Sequence, residues 1–262
     1  MDPILELKHI IGFSPAKCPY IKWSRVPGES TIVYASEGAL IAMDIESGEQ
    51  RRFFFGHNQP ICCFDIAPHG GMVASAQEGQ FSIVRIWDYY TARCISMLTL
   101  PCSSLISLAF SPDGQYLATV GKSSAKVGKT VQYNKELLII WDLSRIHKGE
   151  KPEIAAKHTL EYNILALKFS PIDNSRLVSC GKENIRFWRV RDQGTIRGSA
   201  VVLNQHARNT VFTCLDFEWG CTATGPYCPK GANNERGIMN HVSPENEALK
   251  RVYVGSRHGM VF

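Results

Sequence analysis

A short apolar segment ending in Trp-Asp recurs along the 262-residue chain, and this recurrence constrains the fold more than any other feature. Trp87-Asp88 closes "VRIWD" and Trp141-Asp142 closes "LIIWD". Trp188-Arg189 in "IRFWRV" is an altered copy, and Met43-Asp44 in "LIAMDI" is a fourth. Successive marks lie 44, 54 and 47 residues apart. A period of that length means one supersecondary unit used repeatedly, with each unit burying its apolar faces against its neighbours.

A second mark keeps the same order. "VPGES" (26–30), "IAPHG" (66–70), "FSPDG" (110–114) and "KFSPIDN" (168–174) each precede one of those strand ends. In each, an apolar segment runs into Pro and turn-forming residues, and another short strand follows. Every period then reads as four strands. The second is "ICCFDIA", "MVASAQ", "FSIVRIWD" and "RCISMLTL". The units expected on this pattern are 14–56, 57–100, 101–160, 161–206 and 207–262, the last incomplete, with insertions at 122–135 and 220–249. No segment carries 3.6-residue amphipathicity beyond a few residues, so the chain reads as nearly all β.

Composition limits the setting. Hydrophobic residues at 44% and charged residues at 20% are those of a packed domain. No apolar run reaches the length of a membrane span, so no membrane partner is expected. The opening "MDPILELKHIIGF" does not read as a signal peptide. Nine cysteines, an odd number placed mostly inside apolar segments, read as buried free thiols of a reducing compartment. A net charge of +5 permits an acidic partner without demanding one.

Candidate chemistry is sparse. "GKSSAKVGKTVQYNK" (121–135) carries Lys122, Lys126, Lys129 and Lys135 and no acid. Its Gly128-Lys129-Thr130 invites a phosphate-loop reading, but the required first glycine falls on Ser123 and no helix pattern follows. The stretch is either a solvated loop or a basic finger against an acidic surface. Arg145 and Lys148, with His147 and Lys151, occupy the next turn of the same unit and read either as solvated turn residues or as an extension of the patch. In the second insertion, Cys221 and Cys228 with His241 make one loose pair where zinc wants two close ones. No metal or other cofactor is expected. Neither G-x-S-x-G nor H-E-x-x-H occurs, so no catalytic residue is assigned and an enzyme is not expected.

Four-stranded units carrying Gly-His and Trp-Asp marks resemble the WD40-repeat family over essentially the whole chain. That resemblance implies a WD40-type β-propeller of four complete four-stranded blades plus part of a fifth, a piece of a larger propeller or of tandem propellers. It also implies a hydrogen-bonded set of Gly-His, a Ser/Thr on the second strand, a turn Asp and the Trp. His57, Ser75 and Trp87 fit that set, with Glu78 offered where Asp is usual. The third and fourth copies keep Thr119 with Trp141 and Ser179 with Trp188, without Gly-His.

The segments 47–79, "VRIWDYYTARC", "SCGKENIRFWRV" and "VFTCLDF" are similar to the proteome-of-centriole (WD repeat-containing protein 90) family and to related cilia- and microtubule-associated WD proteins. This likeness implies a structural scaffold in the cytoplasm, at centriole, centrosome or cilium, with protein partners and tubulin among them. Nucleic acid is an unlikely partner. A second reading is a WD-repeat adaptor for a signalling or RNA-related complex without tubulin affinity.

Overall fold

The computed structural model describes residues 7–79, 82–123, 125–127, 130–132, 135–191, 194–217 and 251–262. Within them the regular structure is β-strand, apart from one 3-10 turn at Ile146–Lys148. The first sheet is β1 (Ile21–Trp23), β2 (Thr31–Ser36), β3 (Ala39–Asp44) and β4 (Gln50–Phe55), and the second is β5 (Ile61–Ile66), β6 (Met72–Gln77), β7 (Ile83–Asp88) and β8 (Cys94–Thr99). A hairpin of β11 (Ala125–Val127) and β12 (Thr130–Gln132) interrupts the third sheet. That sheet consists of β9 (Cys102–Phe110), β10 (Tyr116–Ser123), β13 (Glu136–Asp142) and β14 (Glu153–Leu160). The fourth is β15 (Ala166–Ser170), β16 (Asp173–Gly181), β17 (Asn184–Arg191) and β18 (Thr195–Ala200), and β19 (Phe212–Phe217) pairs with β20 (Val252–Ser256). In each four-stranded sheet the strands lie in chain order and pair antiparallel.

Why these segments stack radially can be read from the two faces of each strand. Successive side chains on a strand point to opposite sides. On β6, Val73 joins an apolar cluster with Val33, Leu40 and Phe54 of the first sheet. Its neighbours Met72, Ala74 and Ala76 join a different cluster with Leu117, Leu137 and Ile139 of the third. On β13, Ile139 and Trp141 take the second-sheet side, while Leu138 and Ile140 face Leu167, Leu177 and Trp188 of the fourth. On β16, Leu177 faces back and Val178 and Cys180 face Phe212 and Val254. Inner strands are therefore apolar on both faces, and all six residues of β6 are buried. The outer β8 keeps only Leu98 buried.

The first strands converge. β5, β9, β15 and β19 are spatial neighbours. With the segment around β1 they line a cavity of about 630 Å³ along the axis of the stack. The turns after the first strands use the predicted residues. Pro68-His69-Gly70 and Pro112-Asp113-Gly114 place glycines at φ of 76° and 73°, a backbone conformation other residues adopt at a cost.

Candidate functional site

The best-defined polar cluster lies on the second sheet's boundary with the first. Ser75 is fully buried at mid-β6, opposite Arg85 of β7. Trp87 Nε1 donates to Ser75 Oγ at 2.8 Å. His57 Nε2 lies 2.7 Å from the same hydroxyl, and its Nδ1 lies 3.0 Å from Gln77 Oε1. Gln77 Nε2 donates to Asn58 Oδ1 at 2.9 Å, which turns the Gln77 carbonyl toward the imidazole. A carbonyl can only accept, so Nδ1 carries the proton and Nε2 accepts from the serine hydroxyl. The chain of donors runs from the indole through the hydroxyl to the ring, then through Gln77 to Asn58. Burial, with Arg85 close by, lowers the His57 pKa from 6.5 to about 4 against the opposing pull of Gln77. The ring is therefore neutral near pH 7.

This cluster resembles a nucleophile–base pair in composition only. The Ser75 hydroxyl is fully buried and already engaged by both His57 and Trp87, so no reacting atom can approach it. The partner of His57 is the Gln77 carbonyl and not Glu78. Gln77 ends β6 with its side chain inward, whereas Glu78, one residue on, binds Lys17 Nζ at 2.8 Å.

The later copies solve the same packing problem with fewer polar parts. Trp141 Nε1 donates to Thr119 Oγ1 at 3.0 Å, and that hydroxyl lies 3.4 Å from the Ile139 carbonyl, which takes its proton in the absence of a histidine. Trp188 Nε1 donates to Ser179 Oγ at 2.8 Å. The indole of Trp188 is flanked by His158, with ring centroids 5.7 Å apart, and by Tyr162 at 6.1 Å. Arg186 lies over Tyr162 at 3.8 Å, in the register position that Arg85 holds on β7. Burial pushes the Tyr162 hydroxyl up to about 12. The sequence marks missed His158 and Tyr162 because neither belongs to a Gly-His pair.

The basic positions do not form one patch. β10 and β13 pair antiparallel from Tyr116↔Asp142 at one end to Lys122↔Glu136 at the other. The insertion leaves from the Lys122 end, while Arg145 and Lys148 follow the Asp142 end. At about 3.4 Å per residue the two groups stand roughly 20 Å apart, at opposite ends of the sheet. The reading in which Arg145 and Lys148 extend the lysine patch is thereby corrected. The antiparallel return of the chain separates turns that look adjacent in the sequence.

Lys122 is exposed at the end of β10, and Lys126 belongs to β11. Lys129, together with Cys221, Cys228 and His241, lies outside the described residues. Lys135 Nζ is 3.8 Å from Glu161 and Arg145 is 3.4 Å from Glu150, while Lys148 is exposed on the 3-10 turn. At the foot of the insertion Glu136 is buried. It accepts from the Ile164 amide at 2.7 Å and from Asn163 Nδ2 at 2.9 Å, and burial raises its carboxyl pKa despite these donors.

The axial cavity carries charges of its own. Lys22 pairs with Asp65 at 2.6 Å and Lys168 with Asp216 at 2.6 Å, each pair joining the first strands of neighbouring sheets. Asp65 also accepts from the Phe110 amide at 2.9 Å. Both signs of charge line the cavity, with Arg25 as a further cation beside the two pairs. Among the described residues no group of three His, Cys, Asp or Glu side chains could hold a metal ion. No helix among them is long and apolar enough to cross a membrane.

Comparison with known proteins places the chain among others built in this way. Residues 50–226, more than half of it, match the family described as the echinoderm microtubule-associated protein first β-propeller. The chain is 30% identical over 99% of its length to WD repeat-containing protein 90 of Xenopus tropicalis, covering 12% of that protein. It is 29% identical over its full length to centriole proteome protein 16 of Chlamydomonas reinhardtii, again covering 12%. Against echinoderm microtubule-associated protein-like 2 of Mus musculus the identity is 26% over 84% of the chain and 33% of the relative.

Proposed function

The chain belongs to the WD-repeat family of the echinoderm microtubule-associated protein first β-propeller, and from that premise we propose that it is a non-catalytic scaffold of a microtubule-based assembly at the centriole or cilium. The observation that carries this reading is where the likeness falls. It runs through the stacked sheets themselves and, in the relative named for the centriole proteome, from one end of the chain to the other. The chain spans only 12% of that relative and of WD repeat-containing protein 90, so it corresponds to one part of a longer architecture in them.

The surface that meets an acidic lattice is, on this reading, the end of the third sheet from which the 121–135 insertion leaves, with Lys122, Lys126 and Lys135, while Lys129 belongs to the insertion but lies outside the described residues. The insertion carries four lysines without an acid between positions 121 and 135. The pair Lys135–Glu161 offsets part of the charge, which leaves an attraction that salt screens readily. Tubulin is the partner proposed, through electrostatic contact and without a cofactor.

Cosedimentation with polymerised microtubules tests this. The folded chain pellets at low ionic strength and is released as salt rises past about 0.15 M, where screening acts within roughly 8 Å. Reversing the four lysines to glutamate abolishes pelleting, while Arg145→Glu with Lys148→Glu, at the other end of the sheet, leaves most of it. Folded protein that stays in the supernatant at low salt overturns the tubulin reading in favour of an adaptor. Pelleting that survives the lysine reversal overturns the assigned surface.

A further inference from the structure

Two adjacent cysteines occupy an unusual place on the strand nearest the axis. On a regular strand neighbouring side chains diverge to opposite faces, which keeps consecutive sulfurs apart. Here the pairing of β5 with β6 passes from Ile61↔Gln77 directly to Cys63↔Ala76, so Cys62 is the extra residue of a β-bulge. The bulge brings Cys62 Sγ to 4.0 Å from Cys63 Sγ. Cys62 is half-buried, and Cys63 is 3% exposed.

We propose that Cys62 and Cys63 form a redox-responsive vicinal thiol pair, in which Cys62 reacts with a hydroperoxide and Cys63 resolves the product to a disulfide. The geometry divides the roles. The bulge leaves Cys62 only partly buried at the edge of the cluster that holds Cys63, while Cys63 is buried and is the adjacent sulfur. The Cys63 thiol can donate to the Cys62 sulfur, which lowers the Cys62 pKa, while that shared proton and burial raise the Cys63 pKa.

In the first step the Cys62 thiolate attacks one peroxide oxygen. An S–O bond forms, the O–O bond breaks, and the departing hydroxide takes a proton to leave as water or alcohol. The sulfenic O–H that results has acceptors in place, because the Ala76 and Leu105 carbonyls lie 3.4 and 3.7 Å from the Cys62 sulfur. In the second step the Cys63 sulfur attacks Cys62, the S–O bond breaks, and the leaving hydroxide carries off the Cys63 proton as water. Two thiols and one hydroperoxide thus yield one disulfide, with two electrons passed from sulfur to oxygen. Since Leu105 belongs to β9, the change is made at the contact between the second and third sheets. The inference is independent of the scaffold reading.

The test is peptide mapping of the folded chain after one equivalent of hydrogen peroxide and alkylation of the remaining thiols. Trypsin releases residues 53–85 as a peptide whose only cysteines are Cys62 and Cys63. The expected result is that this peptide loses two hydrogens before the exposed Cys94 is oxidised, because the resolving sulfur already lies beside Cys62. Cys63→Ala leaves Cys62 trapped as a sulfenic acid that dimedone labels, and Cys62→Ala leaves Cys63 unreacted. A 53–85 peptide that stays reduced while Cys94 is consumed overturns the proposal, as does a disulfide joining Cys62 to any cysteine other than Cys63. The wild-type measurement decides the matter even where a variant does not fold.

Discussion

Ser75 shows how much a single buried hydroxyl organises. It receives the Trp87 indole N–H and gives its own proton to His57, whose other nitrogen is fixed by Gln77. The indole N–H, the Ser75 hydroxyl and both imidazole nitrogens all have partners, the condition under which buried polar groups cost least. The third and fourth sheets keep the indole–hydroxyl bond and replace the imidazole with a backbone carbonyl or with stacked rings. A pH dependence follows from the second sheet's cluster. The His57 pKa falls from 6.5 to about 4 on folding, chiefly through burial. As pH drops, the unfolded chain takes up the proton first, so stability is lost between pH 6.5 and about 4 and this group adds no further loss below. Urea unfolding should give a stability about 2 kcal/mol lower at pH 5 than at pH 7, and His57→Asn should remove that difference while lowering stability at pH 7. An unchanged slope in the variant would mean that His57 titrates freely in the fold.

At the scale of the element, the turn between β5 and β6 does more than reverse the chain. Gly70 sits at φ 76°, and a side chain there would stand 2.9 Å from the backbone of Arg25 and of Val26, the stretch that leads out of β1. The turn of one sheet is thus pressed onto its neighbour where only glycine fits. Gly70→Ala combines left-handed strain with a backbone clash and should cost about 2 kcal/mol or more, read as a lowered denaturant midpoint at unchanged slope. Gly149→Ala, at φ 79° with nothing near its Cβ, is the control and should cost about 1 kcal/mol. Equal losses would show that the close approach is not a real constraint.

Such turns were legible because Pro and Gly punctuate a strand pattern directly, and so were the strands, whose apolar runs end on Trp-Asp. The role of Gln77 was not. A polar residue at a strand's end looks like part of the turn, and only the pleat decides that it points inward while Glu78 reaches Lys17. His158 and Tyr162 escaped for a related reason, since their meeting around Trp188 depends on how two sheets face each other. The separation of Arg145 from the lysine insertion also needed strand direction, which composition does not carry.

Among the described residues the second, third and fourth sheets are each a wall shared by two apolar clusters. What holds the stack together is the division of their inner strands into residues for the sheet before and residues for the sheet after. Val73 and Trp87 belong to the cluster shared with the first sheet, Ala74 and Ile86 to the cluster shared with the third. A one-residue slip would send each set to the wrong wall, so the register is strongly specified. Lys122 and the Arg145–Lys148 turn lie at opposite ends of the third sheet.

The most direct measurement of that division is one isotope-edited NOESY spectrum of the folded chain, read at the adjacent residues Ile86 and Trp87. The account predicts cross-peaks from the Trp87 indole to the Phe54 ring of the first sheet, whose centroid lies 5.9 Å away, and from the Ile86 methyls to side chains of the third sheet. Cross-peaks from both residues to one and the same neighbouring sheet would contradict it.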